Sequence, residues 1–556
     1  MKDTRWQLRL PSPLPDTSFH PLLVRLLYNR GITDPRHFET FLAADERLAG
    51  DPFAIPGMQK AVERVCQALA KGETIAVYGD FDADGVTATV LLVQGLSRLG
   101  GTVVPYLPHR QREGYGLNQA ALEALHGQGV VLVVTVDCGM TAVAEVEYAR
   151  RLGLEVIITD HHRLPPVAPA AVAAVNPRAP GTPQAMAELA GVGVAYKLLQ
   201  ALHLHLGREM DDEEVLDLVA LGTVADAAPL LGENRYLVRR GLKVVNRLRR
   251  LGLSALADAA RLKGGEVDTE AISYVLGPRL NAAGRLDHAL LSYNLLATQD
   301  HDEAERLARL LDGKNRERQE LTGALLAQAR QQVVPLLPQA PLLLVAQDNY
   351  RAGVAGIVAG KLAEEFYRPT VVIEVGPEVS RGSARSIPEF NIGSAIDGCG
   401  HLLLRFGGHA QAAGFTIPTC NISAFHQHLL ELAGERLVGV DLRPRLAIDA
   451  QVELSYLDGR FIPLLESLAP FGPGNDVPTF LSRRLQVLET RALGGLGEHL
   501  RLKVRGGRVT WPAMAFHMGR YVSEVTPYLD VVYSFGRERD GGGMMHLNVK
   551  DFLPNP

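Results

Sequence analysis

The sequence predicts a multidomain α/β chain: a parallel-sheet domain, a helical connector, a second α/β domain and a C-terminal β domain. Three observations predict it. Between residues 74 and 159, continuously apolar runs alternate with helical patterns, as expected for strands buried on both faces of a parallel sheet. The alternation resumes near residue 341, and beyond Arg445 it gives way to short strand-like runs separated by glycine turns. At 556 residues with 47% hydrophobic composition, the chain exceeds the size at which a single core keeps growing.

The elements follow in order. Residues 1–45 are punctuated by proline and read as a helical segment, in which Asp34-Pro35 starts a short helix within GITDPRHFETFL. The domain at 46–235 runs strand 74–78 (TIAVY), helix 87–99, strand 102–107 (TVVPYL), helix 118–125, strand 130–136 (VVLVVTV), helix 142–152 and strand 155–159 (EVIIT). Residues 236–335 are mostly helical, and 301–333 form one long charged amphipathic stretch that reads as a connector. The domain at 336–440 opens with strand 341–346 (PLLLVA), then helix 354–366 and strand 369–375 (PTVVIEV). In 441–556, the runs 485–493, 499–516 and 529–538 suggest a small antiparallel barrel or sandwich.

Composition narrows the function classes. Lys plus Arg number 57 against 62 Asp plus Glu, a formal charge of −5, so any nucleic-acid binding must be local. Basic clusters at 239–250 and 314–318 read first as solvated helix faces. Cys66, Cys138, Cys399 and Cys420 form no CxxC pair, which argues against a zinc ribbon or disulfide framework. Without a bilayer-length apolar run or a secretory signal, the expectation is a soluble cytoplasmic protein with no membrane partner.

Charged residues collect at one kind of place. Asp80, Asp82 and Asp84 follow strand 74–78, Asp137 follows 130–136, and Asp160, His161 and His162 follow 155–159. The carboxyl ends of parallel strands form the crevice in which open sheets bind ligands. One Asp at such a place is ordinarily a helix cap, and one His pair a surface or core feature. Three carboxylates, then one, then Asp-His-His at successive strand ends exceed what capping needs. Asp82, Asp84, Asp137 and His161 are therefore candidate metal ligands. Asp226, in the otherwise apolar LGTVADAAPL, is a fifth, because an uncompensated carboxylate there would be costly. Asp80 either ligates a metal or orients a residue that does. Oxygen-rich donors suit Mg2+ and added imidazole tilts the choice toward Mn2+. A carboxylate shared by two ions about 4 Å apart is the architecture of two-metal phosphoryl chemistry.

YGDFDADGVTAT, VTVDCGM, ITDHH and GTVADAAPL resemble the four motifs of the DHH phosphoesterase superfamily, with Phe81 where Tyr is more usual. GPRLNAAGRLD, GSARSI, GGHAQAAGF and LAPFGPGNDVPTF extend the resemblance to the C-terminus. They narrow it to the branch of bacterial 5′ to 3′ exonucleases specific for single-stranded DNA. The resemblance implies a DHH catalytic domain, a DHH-associated substrate-binding domain and a C-terminal OB-fold. It also implies two divalent ions and a role in DNA repair and recombination.

Site residues follow. His162 is expected beside the metals, steadying the phosphate or protonating the leaving oxygen. His409, in the Gly-rich Phe406–Phe415 loop with Gly407 and Gly408, is implied as a phosphate contact or transition-state stabiliser facing the metal site. Ser383 and Arg385, two apart on an extended segment, share a face and can hold a terminal phosphate. With Arg110 they resemble the family's 5′-phosphate pocket. Arg279 is the candidate for the scissile phosphate, with Asn281 and Arg285 in the same motif. Arg501, Lys503, Arg505, Arg508 and Trp511 could line a basic, aromatic groove, although Trp511 could equally be core. Single-stranded-DNA-binding protein and a recombination helicase are implied partners of a monomer. Two alternatives are weighed: a superfamily phosphoesterase acting on short oligonucleotides or cyclic dinucleotides, and a non-catalytic DNA-binding relative. Chain length and residues 445–556 disfavour the first; the complete ligand set disfavours the second.

Overall fold

The computed structural model describes residues 4–9, 14–110, 112–262, 267–337, 340–348, 350–456, 461–495, 497–537 and 545–555. The chain divides into two compact units, the first Met1–Tyr106, Leu117–Gly277 and Arg445–Pro556, the second Leu107–Gly116 and Pro278–Pro444. The expected connector is therefore split: its helices up to Gly277 belong to the first unit, and the 33-residue helix His301–Val333 to the second.

The first unit holds a five-stranded parallel sheet: β1 Thr74–Gly79, β2 Thr102–Tyr106, β3 Val130–Val136, β4 Glu155–Thr159 and β5 Ala173–Val175, in the order β2-β1-β3-β4-β5. Strands β1, β3 and β4 are apolar and almost wholly buried because helices cover both faces. Strand β5 was not foreseen; its three residues Ala-Ala-Val carry no periodicity. Three helices matter for the site: α1 Ala83–Arg98, α2 Gly191–His205 and α3 Leu216–Ala225. Helix α1 begins four residues before its apolar periodicity indicated, since Asp82 caps it. A Cβ at Gly95 would lie 2.6 Å from Leu199, so glycine there lets α1 and α2 approach.

The second unit contains a mixed sheet of β6 Leu343–Gln347, β7 Thr370–Glu374, β8 Val379–Arg385, β9 Arg405–His409 and β10 Ala412–Pro418, in the order β9-β10-β8-β7-β6. Only β6 and β7 pair in parallel. One face of this sheet packs Ala384, Ala413, Phe415 and Ile417 against Phe425, Leu429 and Ala433 of helix Ile422–Leu437.

The C-terminal part of the first unit is a closed five-stranded barrel of β11 Phe480–Leu493, β12 His499–Gly506, β13 Val509–Ala515, β14 Tyr528–Arg537 and β15 Met545–Pro554. Its order is β11-β12-β13-β15-β14, with β14 returning to β11. The sequence pattern missed β15, and Glu538, expected in β14, lies outside the described residues. Residues 1–45 are more than a helical segment. Strand Arg5–Leu8 pairs in parallel with Arg445–Ile448, and Leu22, Leu26, Phe38 and Phe41 enter the barrel core with Leu502, Val531 and Tyr533. Asp34 caps Pro35–His37 as expected. Trp511 packs against this core, edge-on to Phe535 with ring centroids 5.7 Å apart, whereas Arg501, Lys503, Arg505 and Arg508 are exposed.

The 239–250 cluster is largely spent on ion pairs: Arg240 on Asp212 at 2.8 Å, Arg247 and Arg249 on Glu213, and Arg250 on Asp217 at 2.6 Å. No helix among the described residues is long and apolar enough to cross a membrane. Arg235 is fully buried and, among the described residues, has no carboxylate in hydrogen-bond contact. It donates to the carbonyls of Phe41, Ser467, Leu468, Ala469 and Pro470 and lies 4.0 Å from the centroid of the Phe41 ring. Asn475 also donates to the carbonyls of Leu468 and Pro470, so Arg235→Leu should remove the side-chain donor from those of Phe41, Ser467 and Ala469 and cost about 3 kcal/mol. The measurement is the urea midpoint of the barrel's unfolding transition.

Candidate metal centre

The site is built at the carboxyl end of the first sheet. After β1 the chain turns through Asp80 to Asp82, whose carboxylate accepts the amides of Asp84 at 2.9 Å and Gly85 at 3.2 Å. Asp82 is thus a helix cap as well as a candidate ligand. Asp84, 1% exposed, accepts the first amides of α2, Gly191 N at 2.7 Å and Val192 N at 2.8 Å. Asp137 follows β3 with φ of 61°, a left-handed backbone that a non-glycine residue adopts at some cost and that clusters at functional sites. Asp226 caps the C-terminus of α3.

These side chains converge on His161. Its Nε2 lies 3.0 Å from Asp137 Oδ1, 3.8 Å from Asp226 Oδ2 and 3.9 Å from Asp84 Oδ2. His162 Nδ1 is 2.7 Å from Asp160 Oδ1 and 3.9 Å from Asp137 Oδ1. Three overlapping triads have ligand atoms within 4.8 Å of one another: Asp80, Asp82 and Asp137; Asp84, His161 and Asp226; Asp137, His161 and His162. All six metal and catalytic candidates assigned to this sheet, and Asp226 from α3, are therefore gathered.

Asp160 has a different task. It accepts the amides of His161 and His162 and the His162 ring nitrogen on one oxygen, and the amide of Met140 on the other. Asn176 and Arg178, which belong to no motif in the sequence, hold the carbonyls of His162 at 2.9 Å and His161 at 2.8 Å. They follow the unforeseen strand β5, and only recognition of that strand would have flagged them.

Burial, then Asp82, pushes the Asp84 carboxyl up to about 7; burial, then Asp84, pushes Asp226 up to about 8. Burial and the surrounding carboxylates hold Asp137 well above the usual carboxylate range. Burial works against protonation of His162, but the Asp160 hydrogen bond and charge outweigh it and raise the imidazole to about 9. The donor set fits a hard divalent cation: carboxylates crowded out of water keep protons at neutral pH unless a cation offsets them. A Cβ at Gly222 would sit 2.8 Å from Asp84 Oδ1, and one at Gly191 2.8 Å from Asp137 Oδ1, so both glycines preserve room for these carboxylates.

The remaining candidates lie in the second unit. Ser383 and Arg385 project from β8 toward helix Ala352–Phe366, where a Cβ at Gly356 would be 3.0 Å from Arg385 Nη2 and 3.6 Å from Ser383 Cβ. Burial, then the charge of Arg110, lowers the Arg385 pKa. His409 pairs with Ala412 and Ala412 with Arg385, so His409 shares their face. Gly408 does not: it lies on the opposite face, where a Cβ would be 2.4 Å from Ala412 O, so strand packing accounts for that glycine. Arg279 is held by Asp312 at 2.9 Å. Asn281 is two residues further along helix Gly277–Leu286, a spacing that does not share a helix face.

A parallel sheet that gathers an Asp-His-His turn with carboxylates from its neighbouring strand ends defines a metal-dependent phosphoesterase of the DHH class. Family models agree: the DHH family N-terminal domain matches residues 74–223, the DHHA1 domain 339–435 and the RecJ OB domain 448–551. The single-stranded-DNA-specific exonuclease RecJ of Bacillus subtilis is 36% identical over 531 residues, covering 94% of this chain and 67% of that protein. The RecJ of Dickeya dadantii is 36% identical over 530 residues, covering 91% and 90%. The crystal structure of Thermus thermophilus RecJ in complex with Mn2+ superposes with a TM-score of 0.84 at 31% identity, covering all of this chain and 80% of that one; a Mg2+ complex of the same protein gives 0.79 at 30% identity, covering 100% and 79%. The chain belongs to the RecJ family of single-stranded-DNA-specific exonucleases.

Without cations, the folded site binds more protons than the unfolded chain, because Asp84, Asp226 and His162 all titrate above their ordinary values of 3.8, 3.8 and 6.5. The site's contribution to stability should therefore fall as pH rises from about 4, where the two carboxyls ionise in the unfolded chain, to about 9. Thermal melts of chelator-treated protein across this window should show that fall, and added Mn2+ should flatten it.

Proposed function

We propose that the chain degrades single-stranded DNA from a 5′-phosphorylated end, releasing 5′-mononucleotides in the 5′ to 3′ direction. The observation that carries this reading is the convergence of Asp82, Asp84, Asp137, Asp226 and His161, together with Asp80 and His162. This ligand set would hold two divalent ions, Mn2+ or Mg2+. When bound, these supply a water of lowered pKa and offset charge on the phosphate.

The chain's own residues do the rest. Asp160 fixes the His162 ring and favours its protonated form, suited to donating a proton to the departing 3′ oxygen. Arg385, Ser383 and Arg110 would receive the 5′-phosphate, the guanidinium bidentately. Arg279, paired with Asp312, would contact the scissile phosphate, and His409 a neighbouring one. The C-terminal barrel supports a polymeric substrate. Single-stranded-DNA-binding protein and a recombination helicase, with the chain acting as a monomer in the cytoplasm, complete the reading; co-sedimentation checks those partners.

The test is digestion of a 5′-phosphorylated, 3′-labelled single strand with Mn2+ beside its duplex. The single strand should shorten progressively and the duplex should persist. Asp82→Ala should slow cleavage by about 10²–10³-fold, the loss of several kcal/mol of charge stabilisation. Equal digestion of the duplex would overturn the specificity. Removing the 5′-phosphate should slow the wild-type protein by roughly 10–100-fold, the value of a charge-assisted contact, yet change Arg385→Ala little.

A further inference from the structure

The face of the second unit's sheet that carries His409, Ser383 and Arg385 continues beyond them. Strand register places it in three rows across β9, β10 and β8. His409, Ala412 and Arg385 form the first; Gly407, Gly414 and Ser383 the second; Arg405, Thr416 and Arg381 the third. Cross-strand partners project to one side of a sheet, so all nine share a face. The opposite face is the buried core around Ala413 and Phe415. Arg381, Arg405, Gly407 and Gly414 are exposed.

The middle row is bare without a reason inside the fold. A Cβ at Gly407 would meet nothing within 4 Å, one at Gly414 only Gly382 O at 3.9 Å, and neither residue has a left-handed backbone. Neighbouring glycines behave oppositely: a Cβ at Gly382 would lie 2.1 Å from the Phe415 ring. Glycine on an open strand surface marks a place where another backbone comes close. The third row supplies the charge. Arg405 and Arg381 stand two strands apart, about 10 Å, on either side of Thr416. Arg381 is in register with Glu374 of β7, which leaves the row net positive. From the first row to the third is four residues, about 13 Å. At about 3.4 Å of rise per stacked nucleotide, that spans at most about four nucleotides, and fewer in an extended strand.

We propose that Arg381 and Arg405 grip a later phosphate of the same single strand whose leading end lies at Arg385 and His409, with Gly407 and Gly414 forming the floor between. The inference rests on the strand-binding reading above and deepens it. A strand that reaches the third row gains contacts that a dinucleotide lacks, so the face selects polymers.

The experiment measures binding in EDTA, without cleavage, of 5′-phosphorylated oligonucleotides of two and ten nucleotides over a salt series. Wild-type protein should prefer the ten-mer. Arg381→Ala and Arg405→Ala should each shrink that preference by about tenfold. Each should also lower the slope of log affinity against log salt by about 0.7, one phosphate contact on a single strand. Gly414→Ala should melt at the wild-type temperature and still bind the ten-mer more weakly. Wild-type preference and slope in both arginine variants, with strong wild-type binding, would overturn this inference alone. Failure of the wild-type protein to bind either oligonucleotide would overturn the strand-binding reading and this one with it.

Discussion

The site depends on keeping several carboxylates buried side by side. Like charges that close repel, and removal from water raises the cost. The fold meets part of it with backbone amides: the first turn of α1 serves Asp82, the first turn of α2 serves Asp84, and Met140, His161 and His162 serve Asp160. Helix N-termini carry partial positive charge, so two helices point their favourable ends at the cluster. The remainder is what a divalent cation offsets. Asp82 starts a helix, Asp84 docks one, and each still offers an oxygen to the centre. Packing and chemistry are therefore inseparable at these positions.

Much of this was legible in the sequence where one residue type had one job. VVLVVTV and EVIIT became β3 and β4 with the expected ends, because strands buried on both faces need continuous apolar runs. The charged stretch 301–333 is one helix with those bounds. The convergence of Asp82, Asp84, Asp137 and His161 was legible because acidic and imidazole positions at successive strand ends exceed what capping needs, while Asp226, at the end of α3, stood out from its apolar surroundings. Strand β5 and strand Arg5–Leu8 were not legible: Ala-Ala-Val and Arg-Trp-Gln-Leu pair because of what lies beside them. Gly407 and Gly408 look alike in sequence and fall on opposite faces. Arg381 and Arg405 emerge only once cross-strand register is known. Asp160 was named with its histidines, yet its role as their anchor required hydrogen bonds that no spacing reveals.

Arg235 shows the same limit in the core. A guanidinium inside a helix of mixed composition reads as surface charge, but here it collects five carbonyls from two distant segments. Four of those carbonyls belong to irregular chain, which has no ladder to satisfy it, and the fifth, that of Phe41, to the last turn of helix Phe38–Ala43, where carbonyls lack a partner within the helix. One side chain thus joins residue 41, a helix of the catalytic part and the loop that leads into the barrel.

The shared core of the N-terminal helices and the barrel has a consequence for synthesis. Leu22, Leu26, Phe38 and Phe41 are synthesised before their packing partners in β11 to β15, which lie more than 430 residues later. At about 5–20 residues per second, the wait lasts roughly 20–90 s. During that interval the apolar face of helix Pro21–Asn29 lacks the barrel residues that it packs against in the folded chain. Fragments that stop before residue 480 inherit the same problem permanently, so a soluble minimal nuclease would have to discard the first helices together with the barrel.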